Sequence, residues 1–180
     1  AAWTGESNQG SANYGMSVST AGDVNGDGYS DGVVGANYYD NGQTDEGQAY
    51  LYLGSASGLS STAAWTGEPN QGSAYYGKGV STAGDINGDG YSDVLVGAFY
   101  YDNGEANEGQ AYLYLGSASG LATTAAWTGE SDQANAFYGV GISSAGDVNG
   151  DGYSDVLVGA SYYDNGQNDE GRAFLYLGSG

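Results

Sequence analysis

The stretch DVNGDGYSD, which covers residues 23–31, decides how this chain folds. It recurs as DINGDGYSD at residues 85–93 and as DVNGDGYSD at residues 147–155. Oxygen-bearing groups occupy every second position of each copy. Because alternate residues of a tightly curled loop point inward, five oxygens can converge on one hard cation at roughly 2.3–2.6 Å. Each copy is therefore predicted to form a calcium loop.

The predicted ligands are side-chain oxygens of Asp and Asn, together with the backbone carbonyl of the Tyr. They are Asp23, Asn25, Asp27, Tyr29 and Asp31, then Asp85, Asn87, Asp89, Tyr91 and Asp93, then Asp147, Asn149, Asp151, Tyr153 and Asp155. Gly28 supplies the sharp turn, because a residue without Cβ adopts positive φ cheaply. We expect one Ca²⁺ per copy and three per chain.

Two other interpretations of this stretch compete with the calcium loop. An Asx-rich hairpin turn that binds nothing is the simpler one, because Asn-Gly and Asp-Gly are strong turn signals. Such a turn, however, does not require Asp at positions one, five and nine in all three copies. An EF-hand is excluded, because its bidentate Glu at position twelve is replaced by Val34, Val96 or Val158.

The calcium stretch belongs to a longer repeat with a period of 62 residues. The landmarks Trp3, Trp65 and Trp127 recur at this spacing, which divides the chain into units 1–62, 63–124 and 125–180. A period of this length indicates a repeat architecture. Each Trp is predicted to pack between neighbouring repeats.

Within one unit the hydrophobic period is two, which indicates short strands. The predicted strands are AAWT at 1–4, YGMSVSTA at 14–21, DGVVGANYY at 31–39 and GQAYLYLG at 47–54. Four short antiparallel strands per repeat are typical of a propeller blade. The prediction is an all-β propeller of four-stranded antiparallel blades, with three blades per chain.

Composition excludes several classes of function. The chain has 22 Asp plus Glu against 2 Lys plus Arg, giving a formal charge of −20, and it contains neither His nor Cys. This charge disfavours binding to nucleic acid or to anionic membrane surfaces. Zinc sites built on His or Cys and nucleophile–His pairs are impossible. No segment approaches the ~20 apolar residues that would insert into a membrane.

The residues around the calcium stretch carry a family resemblance. Tyr14-Gly15, then AGDVNGDGYSD, then VVGA resemble the FG-GAP repeat of integrin alpha-subunit propellers and of many bacterial surface proteins. The family's Pro after Gly-Ala is replaced by Asn37, Phe99 or Ser161. The resemblance implies a calcium loop between the two innermost strands of each blade, on one face of the disc.

The resulting prediction is a non-enzymatic, calcium-binding structural or adhesion module, located extracellularly or on a cell surface as a bacterial-type secreted protein. A lectin-like propeller and an engineered repeat scaffold without a natural ligand remain alternatives. A glycoside hydrolase is disfavoured, because the acids recur once per unit instead of forming one unique pair.

The face opposite calcium is where a protein or glycan ligand would bind. The acids Glu6, Asp40, Asp45 and Glu46, with their equivalents, are predicted to form a solvated rim there. Exposed Tyr side chains on that face could contact a sugar.

A homodimer is also expected. Three blades cannot close a ring, because propellers typically have four to eight, whereas two chains supply six. The chain begins with an isolated strand and ends after the third strand of its last unit. Residues 1–5 of a partner chain are expected to complete that last blade.

Overall fold

The chain is built entirely from short strands. The computed structural model describes all 180 residues and contains eleven strands and no helix. The strands are β1 (Tyr14–Gly22), β2 (Asp31–Ala36), β3 (Gln48–Tyr52), β4 (Trp65–Gly67), β5 (Tyr76–Gly84), β6 (Asp93–Ala98), β7 (Gln110–Tyr114), β8 (Trp127–Glu130), β9 (Tyr138–Gly146), β10 (Asp155–Ala160) and β11 (Arg172–Tyr176). No helix long and apolar enough to cross a membrane is present. The all-β prediction is confirmed.

The strands form three antiparallel sheets. The first has the order β1-β2-β3-β4, the second β5-β6-β7-β8, and the third contains only β9, β10 and β11. The fourth strand of a sheet comes from the following 62-residue unit, as in the pairing of Trp65 with Leu51. Sheet boundaries are therefore offset from the repeat boundaries read from the sequence.

Two of the predicted strand limits are wrong. Residues 1–4 form no strand, although their equivalents in β4 and β8 do. A strand needs a neighbour to satisfy its backbone groups, and residues 1–4 pair with no strand of the three sheets. The second strand ends at Ala36 instead of Tyr39, because the chain turns there and the Tyr39 N–H donates to the Ala36 carbonyl at 3.1 Å.

The three sheets pack face to face, like successive propeller blades. One apolar cluster joins the first two sheets and includes Val33 and Leu51 facing Val94 and Val96. An equivalent cluster joins the second and third sheets. The innermost strands β1, β5 and β9 lie side by side. Strand β2 also contacts β5, and this approach requires glycine, because a Cβ at Gly35 would lie 1.9 Å from the Gly77 carbonyl oxygen.

Tryptophan links each sheet to the next, as the sequence predicts. The buried Trp65 pairs with β3 of the first sheet. Its ring centroid lies 4.9 Å from that of Tyr114 in the second sheet, in an edge-on contact. Its Nε1 donates to the Ala122 carbonyl at 3.0 Å. The backbone of Trp65 therefore pairs with the first sheet while its side chain packs against the second.

Candidate metal centre

The three predicted calcium loops occupy equivalent places in the fold. Residues 23–30 join β1 to β2, residues 85–92 join β5 to β6, and residues 147–154 join β9 to β10. Each therefore connects the innermost strand of its sheet to the second strand. Because these innermost strands lie side by side, the loops share one face of the molecule.

Asp23 organises the first loop through backbone N–H groups. Its Oδ1 accepts from Gly26 N–H at 2.7 Å and from Asp27 N–H at 3.1 Å. Its Oδ2 accepts from Gly28 N–H at 2.8 Å. Gly26 and Gly28 have φ of 73° and 88°, a region that glycine enters without Cβ strain.

The other two loops repeat this arrangement. Asp85 accepts from the N–H groups of Gly88, Asp89 and Gly90. Asp147 accepts in the same way, and the Gly152 N–H is the largest influence holding the pKa of Asp147 below its usual value. The first position of each loop is thus a carboxylate held by successive N–H donors.

Asp31, at the ninth position, is buried and bonded through both oxygens. Its Oδ2 accepts from Val24 N–H at 2.9 Å, and its Oδ1 accepts from Gly54 N–H at 2.8 Å. Burial raises the pKa of Asp31, and the carboxylates of Asp27 and Asp23 raise it further. In the middle repeat, burial raises the pKa of Asp93 to about 6. Through the bond from Gly54 N–H, Asp31 ties the loop to the segment that follows β3.

The remaining candidate ligands lie closer to solvent. Asn25 Nδ2 donates to Asp27 Oδ2 at 3.0 Å, while Asp27 Oδ1 accepts from Tyr29 N–H at 3.0 Å. In this conformation no three acidic side chains are arranged to hold one metal ion. The donor set itself fits a hard cation, because every candidate donor is oxygen. Asp27 is exposed, so its side chain has room to turn toward an ion.

In the loop between β2 and β3, the structure overturns the predicted acidic rim at one position of the repeat. Glu46 is fully buried instead of solvated. Its Oε1 accepts from Asn41 N–H at 2.6 Å, but its Oε2 has no hydrogen-bond partner. Burial raises the pKa of Glu46, and the carboxylate of Glu68 raises it further.

The cover over Glu46 comes from the next repeat. Tyr76 N–H donates to the Glu46 carbonyl at 2.9 Å. The equivalent Glu108 is buried in the same way, whereas Glu170, with no following sheet, is exposed. Sequence reasoning missed this burial. No local sequence signal separates them, because all three Glu residues precede a Gly; the burial of Glu46 depends on the close approach of the Tyr76 backbone, with which a Cβ at Gly47 would clash.

This face also carries a run of aromatic contacts that crosses the sheets. Tyr38 lies 4.9 Å from Tyr75, and Tyr75 lies 5.2 Å from Tyr100 between ring centroids. Tyr100 stacks on Phe137 at 4.7 Å, and Phe137 contacts Tyr162 at 5.1 Å. We call these five residues the aromatic ladder. Tyr38 and Tyr162 at its ends are exposed.

Comparison with known proteins identifies related sequences. The family model described as FG-GAP repeat matches residues 14–52, 76–114 and 139–176. The chain is 35% identical to integrin alpha-V of Gallus gallus over 169 residues, which cover 88% of this chain and 16% of that protein. It is 33% identical to integrin alpha-IIb of Mus musculus over 156 residues, which cover 82% of this chain and 15% of that protein. The chain thus spans a small part of the curated relatives it matches.

Proposed function

The chain belongs to the FG-GAP repeat family, and from this premise we propose that it is a calcium-binding propeller module with a structural or adhesive binding role. The observation that carries the proposal is the geometry of the first loop: the buried carboxylate of Asp31 closes a short turn between β1 and β2, and the carboxylates of Asp23 and Asp27 lie in the same turn. Close carboxylates of this kind repel one another unless a cation or a proton compensates. The chain offers only two basic side chains against 22 acids.

The proposed ligands in the first loop are Asp23, Asn25, Asp27, the Tyr29 carbonyl and Asp31, with equivalent sets in the other loops. A bound Ca²⁺ supplies positive charge that offsets the carboxylate repulsion. Three ions would change the formal charge from −20 to −14. The protein's own contribution is to hold Asp23 and Asp31 in place through backbone N–H groups.

Calcium binding would also support contact between sheets. The Asp23 carbonyl accepts from Ser92 N–H at 2.9 Å, and the Val24 carbonyl accepts from Ser117 N–H at 3.0 Å. The loop of one sheet is therefore part of the boundary with the next. A rigid loop makes a better-ordered boundary, which is a structural role for the ion.

A chelation experiment tests the calcium proposal. Ligands that bind only the folded state stabilise it by mass action, by about 2.7 kcal/mol per site at a hundredfold excess over the dissociation constant. We expect the melting temperature to fall when millimolar Ca²⁺ is replaced by EDTA. Superimposed melting curves would show that the loops are hydrogen-bonded turns and not calcium sites.

A substitution in the middle repeat tests the ligand assignment. Asp89→Ala is expected to remove one Ca²⁺ by native mass spectrometry and to leave the other two bound. Glu105→Ala is the matched control, because Glu105 is an exposed acid in the loop between β6 and β7, at the end of β6 away from the calcium loop. Equal calcium loss from both variants would mean that the ligands are wrongly placed.

The binding role is proposed for the face opposite the calcium loops, in an extracellular or cell-surface setting where calcium fills weaker sites. A non-enzymatic role fits the integrin alpha relatives.

The aromatic ladder favours a second candidate, carbohydrate binding, because sugars stack on exposed aromatic rings. A glycan array with the chain and its Tyr162→Ala variant tests it: binding that the variant loses supports a lectin, and no binding excludes the glycans presented.

A further inference from the structure

Consecutive candidate metal loops contact each other directly, and the same loop positions make the contact each time. The Ser92 N–H donates to the Asp23 carbonyl of the preceding loop at 2.9 Å, and the Ser92 Oγ accepts from the Asp23 N–H at 3.2 Å. In the next pair of loops, the Ser154 N–H donates to the Asp85 carbonyl at 2.9 Å. The Ser at position eight of one loop therefore holds the backbone of the Asp at position one of the loop before it.

The Tyr at position seven adds a second contact between loops. A Cβ at Gly26 would lie 2.7 Å from Cε1 of Tyr91, and a Cβ at Gly88 would lie 2.6 Å from Cε1 of Tyr153. Each Tyr ring thus lies directly against a glycine of the preceding loop. Gly26 stands between two candidate ligands, and its N–H donates to Asp23 Oδ1 at 2.7 Å. The ring therefore restricts the part of the loop that carries the candidate ligands.

The contacting residues also serve their own candidate site. The Tyr91 carbonyl is a candidate ligand, and it belongs to the same planar peptide group as the Ser92 N–H. The Tyr91 N–H donates to Asp89 Oδ1 at 3.0 Å. Asp93, which follows Ser92, is buried, and its Oδ2 accepts from the Ile86 N–H at 2.8 Å. One short segment thus faces the middle site with its oxygens and the first site with an N–H group and a ring.

Two physical effects make this segment a route between the sites. A cation on the Tyr91 carbonyl would polarise the peptide group, so the Ser92 N–H would become a stronger donor to the Asp23 carbonyl, as linked hydrogen bonds strengthen one another. Fixing residues 91–93 would also hold the Tyr91 ring on Gly26. The first loop would then lose less conformational entropy when it binds its own ion. Both effects favour binding at the first site.

On the basis of the proposed calcium function, we propose that Tyr91 and Ser92, with Tyr153 and Ser154, are positioning residues that couple neighbouring sites, so that Ca²⁺ bound in one loop raises the affinity of the adjacent loop. The coupling is reciprocal, because a coupling free energy between two sites acts equally in both directions. The expected gain is about fivefold per neighbour, at the low end of typical coupling between sites. The loops therefore fill over a narrower range of calcium concentration than independent sites would.

Electrostatic repulsion predicts the opposite result, which makes the sign of the coupling informative. Two divalent cations in neighbouring loops repel each other, so loops without a structural link would bind Ca²⁺ with negative cooperativity. At about 0.15 M salt, where the screening length is about 8 Å, this repulsion is weakened but does not change sign. Positive cooperativity therefore indicates a structural link, and the Tyr91 ring and the Ser92 N–H supply one between the first two loops.

Native mass spectrometry of the full chain at limiting Ca²⁺ is the first test. The distribution of chains with zero to three ions is compared with that for independent sites, and we expect an excess of empty and fully loaded chains. Asp89→Ala, which empties the middle site, should weaken both remaining sites about fivefold in a titration against a calcium chelator. The empty loop of the variant is more negative than the loaded parent loop, so electrostatics alone would strengthen those two sites.

Substitutions at Tyr91 test the route. Tyr91→Ala keeps the candidate ligand, which is a backbone carbonyl, but removes the ring from Gly26. It should still bind three Ca²⁺, with a distribution of partly loaded chains nearer to that of independent sites. Tyr91→Phe keeps the ring and should retain the coupling. Tyr100→Ala is the matched control, because it truncates another half-buried Tyr of the same repeat, in the aromatic ladder on the other face.

The outcomes separate this proposal from the calcium proposal on which it rests. Three ions bound independently or with negative cooperativity would overturn the coupling and leave calcium binding intact. Unchanged cooperativity in Tyr91→Ala, or an equal loss in Tyr100→Ala, would overturn the assigned route. A chain that binds no Ca²⁺ would overturn both proposals. If Tyr91→Ala does not fold, the parent distribution and the Asp89→Ala titration decide whether the sites are coupled.

Discussion

Asp31, the first residue of β2, and Glu46, in the loop between β2 and β3, are both buried carboxylic acids, yet their surroundings differ. Both oxygens of Asp31 accept backbone N–H groups, from Val24 and Gly54. Glu46 has one oxygen bonded to Asn41 N–H and one without a partner. Burial raises the pKa of both residues. The difference shows that burial alone does not define an acid's role: Asp31 connects two segments, whereas Glu46 supports one loop and leaves an oxygen unsatisfied.

The largest expected effect comes from removing Asp31. Asp31→Ala leaves the buried Val24 N–H and the part-buried Gly54 N–H without an acceptor, and a buried group of this kind costs about 1–3 kcal/mol. We expect the free energy of unfolding to fall by roughly 2–5 kcal/mol, measured by urea denaturation in EDTA so that calcium does not contribute. Asp31→Asn keeps one acceptor and should cost less. A loss below about 1 kcal/mol for Asp31→Ala would mean that these bonds do not hold the loop.

A smaller effect is expected from truncating Glu46. Glu46→Ala leaves the Asn41 N–H without its acceptor but also removes the unsatisfied oxygen, so we expect a loss of about 1–2 kcal/mol. Glu46→Gln keeps an acceptor and removes a buried charge beside Glu68. The urea midpoint of Glu46→Gln at pH 7 should therefore equal or exceed that of the parent. A Gln variant as unstable as the Ala variant would contradict the expectation that an acceptor for the Asn41 N–H is what Glu46 contributes.

The pH dependence of stability should separate Glu46 from its Gln variant. The folded-state pKa of Glu46 is raised above its ordinary value of 4.5, so the folded protein holds this proton more tightly than the unfolded chain. Its contribution to stability is complete below pH 4.5 and is lost as pH rises through the folded-state pKa. Glu46→Gln should therefore gain stability relative to the parent between pH 4 and pH 7, and a constant difference over that range would contradict the raised pKa.

The smallest effect is expected at Glu170, the exposed equivalent of Glu46. Without a following sheet to cover it, Glu170→Ala should change stability by no more than about 0.5 kcal/mol. A cost equal to that of Glu46→Ala would show that the loop itself, and not the next repeat, creates the site.

Much of the fold was predictable from local sequence. The period of two in YGMSVSTA and GQAYLYLG predicts strands, and the structure contains β1 and β3 there. Gly28 predicts the sharp turn between β1 and β2, and its φ is 88°. These features depend on residues close in the chain, so a single repeat contains the necessary information. The ligand set for calcium also follows from spacing alone, and it stays a prediction.

Residues 1–4 and Glu46 show where local sequence was insufficient. The AAWT segment has the composition of a strand, but it becomes one only in β4 and β8, where a preceding sheet supplies partners. Glu46 resembles the other loop acids in sequence, but Tyr76 from the following repeat covers it.

The sequence by itself determined the three-fold repeat, the strands and the acidic loops, because these arise from composition and short-range spacing. Only the tertiary structure decided which equivalent residues are buried. Pairing and burial depend on what the neighbouring sheet contributes, so identical sequence motifs differ at the first, middle and last positions of the array. Val24 and Val148 occupy the same loop position, and one is fully buried while the other is half exposed because only the first has a sheet packed against it.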